Sequence, residues 1–452
     1  MAVSKVPTEV LTEIFYLLCK ESIFVCELNN SRCKENFPWA VGLVCRQWRT
    51  AFLSYPPIWG SLTISDWYYN LPRKSFPKTR SESYAKEINR RLALYLERSG
   101  GYPLRLDILL QSDPDGNKAF TMMALEMLSA CSHRWQTANF RLSCDWQLDS
   151  IAPCKGKLPT LEWLEIKVSL FRIHLNRHSL GMFQVAPRLT HAFVGPWAKS
   201  HGWLLPWTQL TELCLILDGN SIIENGDVPN LLPMLHNIKE LRLWLEYELD
   251  SEFEDGFPQF PPTLLNQLHF LEVPHPAFLS WFEAPSLCEI YFADYQQSYD
   301  ELLDVHGEIS SLIRRSACMI RKLSLSFGGM FYVGTLEGVE ELEINYQHPD
   351  APRSPINISF LPKLRLLTIM CWIEDFDSSM NSLTPVLESA RVPSRSECSP
   401  SQCSTGTPVS LLERISVELY HQDQEPPKIP KRLLEIADKW PVVVYSTHWF
   451  NF

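Results

Sequence analysis

No apolar run approaches the ~18 residues that a membrane-spanning helix needs, so a membrane protein is excluded at the outset. Glycine is scarce, 18 in 452 residues, which leaves little material for loops that cradle phosphates. No G-x-x-x-x-G-K-[ST] loop, no G-x-G-x-x-G after a strand, no G-x-S-x-G elbow and no H-E-x-x-H occurs. Catalysis and cofactor binding are therefore not expected, and no catalytic, cofactor or metal residue is assigned. The 13 cysteines include no C-x2-C pair, the usual unit of a structural zinc site. Cys19, Cys26 and Cys33 recur at a regular spacing of seven and read as small apolar thiols. His174 and His178 share a helical spacing but have no glutamate beside them, and read as surface histidines. The opening residues lack the apolar stretch of a secretory signal, so the thiols are expected to be reduced in a cytoplasmic or nuclear protein. A net charge of -11 argues against nucleic acid, whose phosphates require cations.

What the chain has is aromatics, 15 Trp, 15 Tyr and 23 Phe, within an ordinary globular balance. Near the N-terminus, Val10, Leu11, Ile14, Phe15, Leu17 and Leu18 make a wide apolar stripe, which predicts a helix over 6–20. A second helix is expected over 38–55, stopped by Pro56-Pro57. A third is expected over 79–99, where Tyr84, Ile88, Leu92, Tyr95 and Leu96 recur at helical spacing and Gly100-Gly101 ends the run. Its basic side could meet a membrane surface, but the apolar stripe more simply packs on the next element, so no membrane partner is expected.

The stretch Val6-Pro7-Thr8-Glu9-Val10-Leu11-Thr12-Glu13-Ile14-Phe15, followed by Leu43-Val44-Cys45-Arg46-Gln47-Trp48-Arg49, resembles an F-box. Tyr55-Pro56-Pro57-Ile58-Trp59 and the junction from Tyr95 to Leu106 are similar to fungal F-box-like proteins. The resemblance implies docking onto a Skp-type adaptor of a cullin–RING ubiquitin ligase. By position it implies that Pro7, Leu11, Ile14, Phe15, Val44 and Trp48 contact that adaptor. The other reading is a helical cap on the domain that follows.

From Leu161 onward one phrase recurs: apolar, two variable, apolar, one variable, apolar. Its ten copies begin at Leu161, Leu189, Leu210, Ile238, Leu268, Leu287, Ile320, Val339, Leu364 and Leu412, and Trp135/Ala138/Phe140 fits as an eleventh. The steps between copies are uneven, but most fall near the leucine-rich-repeat period of roughly 20–29 residues. The longest step separates Leu364 from Leu412. The last two apolar positions alternate as a half-buried strand requires, and helical patterns such as 118–133 and 298–315 suit the return. The asparagine-ladder position is missing in most copies. The fold class expected is α/β: a small helical F-box-like module over 1–60, a linker with an amphipathic helix over 61–100, and an irregular leucine-rich-repeat-like α/β solenoid over 101–452. An ordinary buried parallel sheet is the alternative. Residues 389–410, rich in Ser and Pro, are expected to be a disordered insertion, and 440–445 a closing strand.

Variable positions beside the buried ones fall on the open face of such a sheet. Three adjacent copies place Arg242, Trp244, Phe270, Glu272, Glu289 and Tyr291 there as target-binding candidates. From Leu243 to Ile313 there is no Lys or Arg but 14 Asp or Glu, so the target protein is expected to be basic; a solvated acidic surface is the other reading. Residues 1–105 hold 15 Lys or Arg and 9 Asp or Glu, against 26 and 43 in the remainder. The function expected is substrate recognition in a Skp–cullin–F-box ligase, the protein itself doing no chemistry; the alternative is a non-ligase leucine-rich-repeat scaffold.

Overall fold

The computed structural model describes residues 6–19, 23–24, 41–65, 78–110, 118–168, 181–197, 203–217, 227–245, 260–293, 302–303, 305–326, 330–331, 336–346, 361–372, 413–421 and 443–449. Cys26, Cys33, His174, His178, the acidic run 246–255 and the insertion 389–410 lie outside the described residues. The protein is mixed α/β and built on parallel sheet, in two compact units, Met1–Ile216 and Leu217–Phe452.

The first unit runs α1 (Thr8–Cys19), β1 (Ile23–Phe24), α2 (Val41–Val44), α3 (Arg46–Ser54), β2 (Ser61–Ser65), α4 (Lys78–Arg98), β3 (Leu104–Leu110), α5 (Lys118–Ala130), β4 (Trp135–Leu142), α6 (Asp145–Ile151), β5 (Trp163–Val168), β6 (His191–Trp197) and β7 (Glu212–Leu217). Its strands are parallel and lie side by side in chain order. Register aligns the repeated phrase with itself. Leu62, Leu106, Ala138, Leu164 and Ala192 form one lateral row, and Ile64, Ile108, Phe140, Ile166 and Val194 the next. All ten are buried. Each strand thus buries alternate side chains on one face, and no copy could do so without its neighbours.

Two expectations are corrected at the N-terminal end. The helix expected over 38–55 is broken at Cys45, whose backbone is extended (φ -160°, ψ 170°) and whose Sγ accepts the Trp48 N–H at 3.4 Å. The thiol takes the place of the Ser or Asp that usually caps a helix. The segment expected to be a linker, 61–100, holds β2, so sheet pairing begins well before residue 101. The reason is another copy of the phrase, Trp59/Leu62/Ile64. Trp59 Nε1 donates to the Phe52 carbonyl at 3.3 Å, as Trp135 Nε1 donates to the Leu128 carbonyl at 3.2 Å, each reaching back by the same seven positions. Between Trp59 and β2 sits Gly60, where an added Cβ would stand 2.9 Å from the Pro103 carbonyl oxygen. Helix α4 ends as predicted, at Gly100 with φ 52°.

In the second unit come β8 (Glu240–Leu245), β9 (Thr263–Leu264), β10 (Phe270–Val273), β11 (Phe282–Glu283), β12 (Glu289–Phe292), β13 (Leu302–Leu303), β14 (Lys322–Ser326), β15 (Met330–Phe331), β16 (Glu341–Tyr346), β17 (Leu366–Trp372), β18 (Arg414–His421) and β19 (Val443–Trp449). The main sheet is again parallel, in the order β8, β10, β12, β14, β16, β17, β18, β19. Leu241, Leu271, Ile290, Leu323, Leu342, Leu367 and Ile415 share one buried row. Of the closing strand expected over 440–445, residues 443–445 begin β19, which pairs with β18 and runs on to Trp449, and 440–442 lie outside the described residues.

A return helix in every repeat is not what forms. Helix Val305–Ser316 fills the step from Leu287 to Ile320, and a short helix Asp227–Leu231 runs into the 3-10 turn Leu232–Met234, but among the described residues Pro276–Trp281 and Trp207–Gln209 are 3-10 turns alone. The short step from Leu268 to Leu287 must also hold a strand, which leaves no room for a helix of several turns. Polar side chains also reach back to carbonyls near the preceding strands. Thr160 and Thr211 donate through Oγ1 to the carbonyls of Trp135 (2.9 Å) and Thr190 (3.2 Å). Gln209 Nε2 reaches Ala186 and Leu189 (2.7 and 2.8 Å), and Arg134 Nη2 reaches Tyr102 (2.9 Å). In the second unit Arg315 reaches Phe282 (2.6 Å) and Leu279. Each of these side chains satisfies a carbonyl of an earlier repeat, so successive repeats are tied by polar contacts as well as by apolar burial.

Candidate functional site

Helix α1 is apolar on two sides. Leu11, Phe15 and Cys19, spaced by four, are buried. Phe15 lies 5.2 Å from the Trp48 ring and 6.3 Å from the Phe52 ring, which fixes α1 on α3. Gln47 Nε2 closes the start of the helix by donating to the Val6 carbonyl at 3.0 Å. Tyr55 Oη donates to Glu13 Oε1 at 2.9 Å, a contact that pushes the phenol pKa up.

The second apolar stripe is Val10, Ile14, Leu17 and Leu18, at i, i+4, i+7 and i+8, and it faces outward. These four are 44–64% exposed, and Leu43 and Val44 of α2 are 68% and 58% exposed. Large side chains exposed as one helical stripe mark an interaction surface far more often than do single exposed residues. Of the residues that sequence points to for adaptor contact, Pro7, Ile14 and Val44 are exposed and Trp48 is half-buried. Leu11 and Phe15 are buried between α1 and its neighbours and present no surface in this chain. The exposed apolar side chains add Leu43 on α2 and, on the α1 stripe, Val10, Leu17 and Leu18. The signal for them is in the sequence, since six apolar residues within nine positions exceed what one buried helix face requires.

The six candidates on the second unit's sheet do come together. Arg242, Glu272 and Tyr291 form one lateral row across β8, β10 and β12, and Phe270 and Glu289 are partners in the row before it. Alternation with buried Leu241, Leu271 and Ile290 puts all of them on the face opposite the core. Four of the six are nevertheless engaged with one another. Trp244 Nε1 donates to Glu272 Oε1 at 2.6 Å. The Arg242 guanidinium meets Glu240 at 2.7 Å and Glu272 at 3.4 Å, and lies 4.8 Å over the Phe270 ring. Glu272 is buried, which raises its pKa, while the Trp244 hydrogen bond and the Arg242 charge oppose the rise. This knot consumes its own polar capacity. Beyond it the open face continues through Tyr291, Ser324 and Glu343 in one row and Glu289, Lys322 and Glu341 in the other. Lys322 Nζ sits 3.4 Å from Glu343.

The first unit's corresponding face is balanced rather than acidic. Arg141 and Lys167 both meet Glu165 at 3.3 Å, and Lys167 lies 4.1 Å over Phe193. Trp163 stacks on His191 (5.2 Å, 22°), whose Nε2 is 2.9 Å from Glu212. Among the described residues no group of His, Cys, Asp and Glu is arranged to hold a metal ion, and no helix is long and apolar enough to cross a membrane. No family model matches the chain, and no curated protein matches it.

Proposed function

We propose that the protein is the substrate-recognition subunit of a Skp–cullin–F-box-type ubiquitin ligase, cytoplasmic or nuclear. Its N-terminal helices would hold the adaptor, and a leucine-rich-repeat-like α/β solenoid would hold a target protein. The observation that carries the adaptor half is the outward stripe Val10, Ile14, Leu17 and Leu18, together with the exposure of Leu43 and Val44 on α2, in the segments whose sequence resembles an F-box. The solenoid half is supported by strands that pair in chain order and in register, with one face apolar and the other charged. An ordinary parallel sheet is buried on both faces. The mechanism is proximity: the receptor raises the effective concentration of the target's lysines at the ubiquitin-loaded enzyme and does no chemistry itself.

A scaffold whose helices only cap the sheet is the second reading, favoured by the packing of Phe52 on Trp59 (4.9 Å) and of Trp59 on Tyr95 (5.3 Å). Co-purification with a Skp-type adaptor separates the two. The full chain is expected to capture the adaptor, and Ile14→Glu with Leu17→Glu is expected to abolish capture while leaving thermal unfolding unchanged. No capture by the unaltered chain, or undiminished capture by the double variant, would favour the cap.

A further inference from the structure

A cavity of the first unit lies where the chain enters β3, β4 and β5. Its volume is about 360 Å³, and Gly100, Gly101, Pro103, His133, Arg134 and Thr160 line it. Gly100 and Gly101 form the turn after α4, and a Cβ on either would meet nothing within 4 Å. The Gly101 N–H donates to no backbone carbonyl among the described residues. His133 is exposed, and among the described residues only its carbonyl is engaged, by Thr160 Oγ1 at 3.1 Å.

Arg134 brings a charge to this cavity, and nothing on the chain neutralises it. Its Nη2 donates to Ser99 Oγ at 2.6 Å, and Nε and Nη2 donate to the Tyr102 carbonyl at 3.1 and 2.9 Å. The Cys131 thiol hydrogen-bonds the guanidinium as well. Among the described residues no carboxylate pairs with Arg134 or bears on it, although partial burial disfavours its charge. The half-buried guanidinium groups elsewhere differ in this respect. Arg315, which reaches back in the same way to Phe282 and Leu279, feels the charges of Glu308 and Glu283. Arg98, over the Trp59 ring, feels that of Glu97. A cation drawn partly out of water is stabilised by an opposite charge, and at Arg134 the open cavity is where one can enter.

We propose that this cavity binds a phosphate group through the Arg134 guanidinium, the His133 ring and the Gly101 N–H. A guanidinium matches the oxygens of a phosphate, and donors from the two other turns suit a tetrahedral oxyanion better than a planar carboxylate. The volume stands at the lower end of the roughly 300–1,000 Å³ of ligand pockets, which suits phosphate itself or a small phosphate ester. Glycine at 100 and 101 leaves the cavity clear of side chains on that side. The site shares no residue with the exposed stripe of α1 and does not rest on the ligase reading.

The test is titration calorimetry on the full-length chain with inorganic phosphate, glycerol 3-phosphate and acetate at matched ionic strength. Phosphate or its ester is expected to bind with a Kd of about 1 mM or tighter, and acetate about tenfold more weakly or not at all. The tighter of the first two identifies the source, a free ion or a phosphate carried on a small molecule. Gly101→Asp places a carboxylate in open space on a backbone that is not left-handed, so it should supply the missing charge itself. It is expected to weaken phosphate binding about tenfold or more while leaving the ligand-free melting temperature no lower. His133→Gln, at an exposed side chain, is expected to weaken binding about threefold and keeps the test open should the first variant fail to fold. Gln184→Glu, which adds the same charge at an exposed position of the first unit, should change it less than about twofold. No binding of either phosphate at about 10 mM, or acetate binding equally well, would overturn the site. So would undiminished binding by a folded Gly101→Asp or by His133→Gln, or a loss in Gln184→Glu as large as that in Gly101→Asp.

Discussion

His275 is a base placed where a charge is disfavoured. It caps the 3-10 turn Pro276–Trp281, its Nδ1 accepting the Ala277 N–H at 3.1 Å, and burial pushes its pKa from 6.5 to about 4. Between those values the unfolded chain binds the proton and the folded chain does not. Stability is therefore complete above pH 6.5 and falls as the pH drops toward 4, by up to about 1.4 kcal/mol per pH unit. Denaturant melts at a series of pH values should show this slope, and His275→Asn, which keeps a capping acceptor, should flatten it. Nothing in the sequence marks His275 as half-buried. The residues that were legible are those that repeat: every phrase position from Leu161 to Leu364 is buried. Trp59 escaped because a Pro-Pro stop precedes it and reads as the end of a helix, not as the entry to a strand.

At the scale of elements, period decides what can be read. Helix α1 falls within the 6–20 expected, and α4 is offset by one from 79–99, because a 3.6-residue pattern runs their length. The 3-10 turns that join the strands are at most six residues long and carry no period at all. The break at Cys45 was hidden for a related reason: its cause is an extended backbone capped by a thiol, a residue rarely found capping helices. The two sides of α1 should separate cleanly on mutation. Phe15→Ala, which empties the contact with Trp48 and Phe52, is expected to cost about 3–5 kcal/mol, whereas Ile14→Glu on the exposed side should lie within about 0.5 kcal/mol of the unaltered chain. Urea unfolding followed by tryptophan fluorescence reads both. A large loss for Ile14→Glu would show that side to be covered, and the docking surface would be lost with it. The candidate surface was half legible for the same reason: the stripe could be seen, but which of its two sides packs on α3 depends on the partner helix.

For the molecule as a whole, the sequence suggested an F-box-like helical module over 1–60, a linker over 61–100 and a solenoid over 101–452. In the structure the first two segments and the start of the third share one compact unit, Met1–Ile216. Phe15, Phe52, Trp59 and Tyr95 form one chain of ring contacts from helix to sheet, with the Arg98 guanidinium 4.6 Å over Trp59. Cutting before Gly101 would remove β2 from β3 and strip Ile88, Leu92 and Tyr95 from the core. A fragment spanning 101–452 is accordingly expected to aggregate on size exclusion and to be cleaved rapidly within β3 and β4 by a dilute protease. A monomeric, resistant fragment would show that the segment 1–100 is an independent domain after all. Domain organisation was the least legible property, because a boundary depends on which aromatic rings meet in space.

The register of the strands has a historical consequence. Each repeat asks for three apolar positions at a fixed offset, and the lateral rows they form accept Leu, Ile, Val, Ala or Phe alike. Connections of very unequal length serve the same geometry, so most of the chain is free to drift, to lengthen or to be replaced. Ancestry in such a molecule is stored as a rhythm, and the letters around it can be lost without the architecture noticing.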